Sequence, residues 1–121
     1  MNIAIIAHDN KKADMIAFVI KRLEFFKRKD INIYATGTTG KHIKHAGLNP
    51  HLLLSGPMGG DAQIAAMLVE GKIDLVLFFI DPLHSHPHEV DIHMLLRLCN
   101  VHDVPLATNY STASRLVQSY E

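Results

Sequence analysis

Leu52-Leu53-Leu54-Ser55-Gly56-Pro57-Met58-Gly59-Gly60-Asp61 runs from an apolar triplet through a turn into the apolar-rich segment Ala62 to Leu68. Three glycines and one proline fall between Ser55 and Asp61. Glycine permits backbone angles and close approaches that a Cβ forbids, while proline fixes φ and lacks a donor. Neither flanking element can continue through such a stretch. It reads as a strand, a tight bend and a helix, with Asp61 delivered to the helix start.

The same alternation extends in both directions. On the N-terminal side, His51 to Leu54 is the strand, preceded by a short helix from Lys41 to Ala46 that stops at Gly47, a suitable C-terminal cap. Before it come a strand at Ile31 to Tyr34, a helical stripe of Ile16, Val19, Ile20 and Leu23, and an apolar strand at Ile3 to Ala7. On the C-terminal side, a helix from Asp61 to Glu70 ends at Gly71, and Ile73 to Ile80 is the longest apolar strand. Asp81 to Glu89 is a polar loop, Ile92, Leu95, Leu96 and Cys99 mark a helix face, and Val104 to Ala107 is a fifth strand. Ser111 is the expected cap of a last helix reaching Tyr120. Strict β-α alternation with short connections predicts one α/β domain over residues 1–121: a mostly parallel five-stranded sheet, Rossmann-like, with helices on both faces.

Composition narrows the function. A chain of 121 residues with 48% hydrophobic content can bury a core of its own. Twelve basic residues balance twelve acidic ones, which gives no electrostatic case for nucleic acid or an anionic membrane. No apolar run approaches the ~20 residues of a membrane span. Met1-Asn2 leads straight into the first strand without the basic region of a signal peptide, and Cys99 has no partner cysteine, so the cytoplasm is the expected location.

In parallel α/β sheets, ligands bind beyond the carboxyl ends of the strands. Here those ends carry His8-Asp9, Thr36 to Gly40, Ser55 to Asp61, Asp81 to His88, and Thr108-Asn109. Thr36-Gly37-Thr38-Thr39-Gly40 has the hydroxyls, the glycines and the following helix N-terminus of a phosphate cradle, although it is also composed as a capping turn. It matches neither the Walker nor the dinucleotide pattern. Ser55 and Gly56 add donors at the neighbouring strand end, and Lys12 supplies a positive charge. Asp61 reads either as an N-cap or as a base, and N-cap bonds would favour its ionised form. His84-Ser85-His86-Pro87-His88 alternates histidines without a zinc-site spacing, and no metal is assigned to it. His42, His45, His51, His93 and His102 are expected at or near the surface, and Cys99 in the core.

Taken together, several stretches resemble the methylglyoxal synthase family. They are Ala7-His8-Asp9 with Lys12, Tyr34 to Gly40, Ser55 to Asp61, Glu70 to Asp74, Phe79 to Leu83, Pro87-His88 and Pro105 to Asn109. The resemblance spans nearly the whole chain in one register. It implies conversion of dihydroxyacetone phosphate to methylglyoxal and inorganic phosphate without metal or organic cofactor. It also implies a homohexamer and inhibition by phosphate. Position by position, Asp61 resembles the base, expected to take a proton from the carbon bearing the phosphate ester. Lys12, Thr36, Gly37, Thr38, Thr39, Ser55 and Gly56 resemble the phosphate-binding positions. His8 and His88 resemble the histidines at the carbonyl end, and Asp9, Asp81 and Asp91 the supporting acids. The family commonly has Asp-Pro-Asp after Pro87-His88, where this chain has Glu89-Val90-Asp91. Many members also carry a tail beyond the position of Glu121 that helps at subunit contacts. A non-catalytic reading stands beside the enzymatic one, since effector-binding domains of some carbamoyl phosphate synthetases share this fold.

Overall fold

In the computed structural model, which describes residues 1–121, strands and helices alternate from end to end. The order is β1 (Asn2–Ala7), α1 (Lys12–Lys21), α2 (Leu23–Phe26), β2 (Asn32–Thr36), α3 (Gly37–His45) and β3 (His51–Leu53). It continues with α4 (Gly60–Val69), β4 (Leu75–Phe79), α5 (Glu89–Val101), β5 (Leu106–Ala107) and α6 (Tyr110–Tyr120). The five strands form one sheet in the order β3-β2-β1-β4-β5, and every pairing is parallel. The α/β expectation from sequence is met. After β3 the chain returns to the centre and lays β4 against the other side of β1. The β1/β4 border is thus the switch point where such sheets open a crevice.

Side-chain alternation on the two central strands makes two cores. Ile3, Ile5, Leu75, Leu77 and Phe79 pack with Met15 and Phe18 of α1, Ile43 of α3 and Val117 of α6. Ala4, Ile6, Val76 and Phe78 face the opposite side and meet Ile64 and Leu68 of α4 and Ile92, Leu95 and Cys99 of α5. Burial on both faces explains why β1 and β4 are continuous apolar runs.

Several boundaries differ from the expected ones for local reasons. β5 is only Leu106–Ala107, because Pro105 has no N–H to give the ladder, although its carbonyl accepts from Val76 N at 3.0 Å. The first helix breaks at Arg22 (φ −119°, ψ 33°), so its buried stripe is Met15, Phe18 and Val19, while Ile20 is 52% exposed. The last helix is capped by Asn109, whose Oδ1 accepts from Thr112 N at 3.0 Å, and not by Ser111. Helix α3 begins at Gly37 rather than Lys41, so the threonine-glycine stretch is its first turn. Cys99 is buried as expected, and burial pushes its thiol up to about 11.

Candidate active site

The turn after β3 sets the position of Asp61. Gly56 to Met58 form one 3-10 turn, and Gly59 then adopts φ +109°, a region L side chains rarely enter. Gly59 itself is the N-cap of α4, with no side-chain bond to the helix. Asp61 therefore lies inside the first helical turn and is not the N-cap its sequence position suggested. Its side chain is fully buried, and neither Oδ1 nor Oδ2 has a hydrogen-bond partner from the protein. Burial pushes the Asp61 carboxyl above the usual carboxylate range; the nearby His88 opposes this, and Asp91 adds to it. An N-capping aspartate would have been held ionised and weakly basic. A buried aspartate without donors is a stronger base once it has lost its proton.

His88, the last residue before α5, presents Nε2 at 3.4 Å from Asp61 Oδ2. This is ion-pair reach without hydrogen-bond alignment, and His88 Nδ1 is likewise buried and unpartnered. Gly56 makes the approach possible. A Cβ there would lie 2.7 Å from His88 Nε2 and 3.4 Å from Asp61 Oδ1.

His8, at the end of β1, is 6% exposed. The Asp81 backbone N–H donates to its Nδ1 at 2.9 Å. With Nδ1 occupied as an acceptor, the neutral ring must carry its proton on Nε2. That Nε2 is buried and has no partner from the protein. Burial, reinforced by the neighbouring His86 and His88, lowers His8 to about 4, so it is neutral in ordinary buffers. It is a fixed, uncharged N–H donor at the switch point.

Asp81 is the opposite of Asp61. Its carboxylate accepts from Leu83 N at 3.0 Å and from Asn10 Nδ2 at 2.9 Å, and His84 Nδ1 lies 2.9 Å away. The Leu83 and Asn10 hydrogen bonds hold it below the usual range. Its side chain ties the ends of β1 and β4 together, and its backbone fixes His8. Asp9 turns outward, its side chain 93% exposed and paired with Lys12 Nζ at 2.7 Å. That bond to Lys12 lowers its carboxyl.

The phosphate-type residues lie across the opening. Thr36 is buried at the end of β2, and Gly37 begins α3 at φ +53°, close against Ser55. Gly37, Ser55, Gly56 and Lys12 line the same cavity of about 680 Å³ as His8, Asp61 and His88. Thr38, Thr39 and Asp91 do not line it: Thr38 is exposed, Thr39 is fully buried, and Asp91 stands in the first turn of α5. Asn10 and His86 do line it and were not selected from sequence as site residues. The polar triplet His8-Asp9-Asn10 hinted at Asn10, but no spacing rule shows that it reaches Asp81. No three His, Cys, Asp or Glu groups converge in a metal-holding cluster.

This arrangement defines a class: a Rossmann-like domain with a buried carboxylate-histidine pair sharing a cavity with a helix N-terminus suited to an anion. Residues 15–108 match the family described as the MGS-like domain. The methylglyoxal synthase of Carboxydothermus hydrogenoformans is 54% identical, covering 98% of both chains. That of Thermoanaerobacter sp. strain X514 is 56% identical, covering all of this chain and 91% of the relative. The crystal structure of methylglyoxal synthase from Elizabethkingia anophelis NUHP1 superposes with a TM-score of 0.87 at 39% identity, covering 96% of this chain and 76% of that one. The chain belongs to the methylglyoxal synthase family.

Proposed function

We propose that Asp61 is the base, and His8 and His88 the groups that stabilise developing oxygen charge, in a methylglyoxal synthase. The protein is a carbon-oxygen lyase that converts dihydroxyacetone phosphate to methylglyoxal and inorganic phosphate. One observation carries the assignment of roles: a fully buried carboxylate without donors shares a cavity with an unpartnered, neutral His8 Nε2–H.

Electron flow decides which proton leaves. It comes from the hydroxymethyl carbon, not from the phosphate-bearing carbon expected from sequence. A pair released at the hydroxymethyl carbon enters the adjacent carbonyl to give an enediolate. Elimination then follows as the terminal hydroxyl gives up its proton, its oxygen forms the aldehyde C=O, and the enediolate double bond shifts to the phosphate-bearing carbon while the phosphate C–O bond breaks. A pair left on the phosphate-bearing carbon itself has no such path. The enol formed with phosphate release gains a proton at its terminal carbon as its hydroxyl loses one, and becomes methylglyoxal.

A carboxylate removes such a proton only when the enediolate oxygen is stabilised as it forms. The His8 Nε2–H is a preorganised donor for this, and a neutral imidazole is better matched to an enediolate than a cation. Triosephosphate isomerase works on the same chemical logic, a carboxylate base beside a neutral histidine. His88, beside Asp61, can pass a proton between the substrate oxygens. The α3 N-terminus at Gly37, with Ser55, Gly56 and Lys12, would hold the phosphate and orient its C–O bond out of the enediolate plane. Thr36, Thr38 and Thr39 support that turn, and Asp9, Asp81 and Asp91 act through Lys12, His8 and Asp61 respectively.

Phosphate, as a product that fits the same cradle, is the expected inhibitor. Leu52 and Leu54 on and beside edge strand β3, and Met58 in the following turn, are exposed. This supports a homo-oligomer, a hexamer by family resemblance. A cytoplasmic location fits the lone buried Cys99, and no helix is long and apolar enough to cross a membrane.

The test is to incubate the protein with dihydroxyacetone phosphate and measure methylglyoxal and phosphate together. Equal amounts of both are expected. Phosphate with dihydroxyacetone would indicate hydrolysis, and binding without product would favour an effector-binding domain.

A further inference from the structure

The loop between β4 and α5 holds a histidine that the mechanism does not use. The His86 ring lies over the His8 ring, with centroids 3.7 Å apart and planes inclined by 25°. Its Nε2 is 3.4 Å from the Asp81 carbonyl oxygen, and its backbone N–H donates to Glu89 Oε1 at 3.1 Å. His8 is therefore gripped from three directions. Phe78 meets its ring edge-on at 5.2 Å, the Asp81 N–H holds Nδ1, and His86 covers a face. The first two contacts come from the sheet and its immediate continuation. The third comes from the loop that also carries His88.

We propose that His86 is a positioning residue that clamps the His8 ring, keeping its Nε2–H donor aimed into the cavity and its face out of water. The stack does two physical jobs. It removes the ring-flip freedom that one hydrogen bond to Nδ1 leaves, and it places an imidazole where solvent would otherwise solvate a charged His8. The groups facing His8 agree with this role. Asp81 just beyond β4 and Glu89 in α5 would favour a charged ring, as would the adjacent Asp9, itself tied to Lys12. His86 and His88 on the loop disfavour it, as does burial, and their side prevails. Because the clamp and His88 share one short loop, seating His86 also seats His88 against Asp61. The inference rests on the reading of His8 as a neutral donor.

Paired variants, His86→Ala and His86→Phe, test it through long-range proton-nitrogen NMR of the His8 imidazole, alongside steady-state kinetics with dihydroxyacetone phosphate. In the wild type His8 should be the Nε2–H tautomer at neutral pH and, with a midpoint of about 4, about one tenth protonated at pH 5. In His86→Ala the midpoint should rise by about one pH unit, leaving about half of His8 protonated at pH 5. The acid limb of kcat should move upward with it, with KM changed less than kcat. His86→Phe keeps an aromatic face over the ring and should retain the tautomer and most of kcat. A His8 titration in the alanine variant identical to that of the wild type would overturn the proposal. So would a phenylalanine variant as impaired as the alanine one, since the stack would then not be the operative contact. The NMR readout needs no turnover, so absence of lyase activity in the wild type would refute the proposed function while leaving the His8–His86 coupling separately measurable.

Discussion

Two aspartates at the carboxyl edge of the sheet are both buried, yet their surroundings are opposite. Asp81 sits among donors from Leu83, Asn10 and His84 and is held ionised. Asp61 has none from the protein and is pushed toward its protonated form. A carboxylate that has satisfied its lone pairs is a structural tie. One left unsatisfied in the interior costs stability and gains basicity, and such costs gather where chemistry is done. The difference lies in the backbone. Asp81 follows β4 into a loop whose Leu83 N–H turns back to meet it, whereas the left-handed Gly59 carries Asp61 one step too far into α4 to cap it.

If that contrast is right, removing the two carboxylates has crossed effects. Asp61→Asn should lower kcat roughly a thousandfold, the middle of what a general base contributes. The same variant should melt at or above the wild-type temperature at neutral pH, because the folded state no longer carries a desolvated carboxylate. A wild-type rate would erase the distinction between the two aspartates.

His8→Phe comes next, with kcat expected to fall about a hundredfold, as for loss of one oxyanion donor. It also has a pH signature. His8 is lowered from 6.5 to about 4 in the folded protein, so between those values the unfolded chain binds a proton that the folded one refuses. Stability must therefore rise with pH across that window. Thermal melts at intervals from pH 4 to pH 6.5 should show this rise in the wild type and a smaller one in His8→Phe.

Asp81→Asn should act in the reverse sense to Asp61→Asn. Its melting temperature should fall, because an amide N–H₂ would face the Asn10 donor. Its kcat should fall only about tenfold, through displacement of His8 rather than loss of a reacting group. Asp9→Asn should change least. Its pair with Lys12 is exposed, and such pairs contribute about 0–1 kcal/mol. A loss in Asp9→Asn as large as that in Asp61→Asn, measured in the same assay, would mean that exposure is a poor guide to role here.

Much of this was legible in the chain. The strand-turn-helix reading of Leu52 to Leu68 gave the βα unit, and continuous apolar runs at Ile3 and Leu75 marked strands covered on both faces. The polar residues at strand ends pointed to the edge where the cavity lined by His8, Asp61 and His88 lies. What could not be read was the side-chain environment. Whether Asp61 caps α4 depends on a one-residue offset set by the φ of Gly59, and both registers obey the same composition rule. The saturation of Asp81 depends on Asn10, 71 positions away in sequence. The His8 tautomer depends on a backbone N–H from Asp81, and no side-chain pattern encodes that. His86 looked like part of a histidine run, and only the folded loop places it over His8.

Asp61 is assigned to take its proton from the hydroxymethyl carbon, and isotope labelling reads this directly. Dihydroxyacetone phosphate carrying deuterium at both hydroxymethyl positions should be incubated in ordinary water with the wild type and with Asp61→Asn, and the products followed by NMR. The wild type should yield phosphate and methylglyoxal with a single deuterium, at the aldehyde carbon. Asp61→Asn should leave the substrate and its label intact above the buffer control. Methylglyoxal that retains both deuterium atoms, or label loss in Asp61→Asn at near the wild-type rate, would contradict the account.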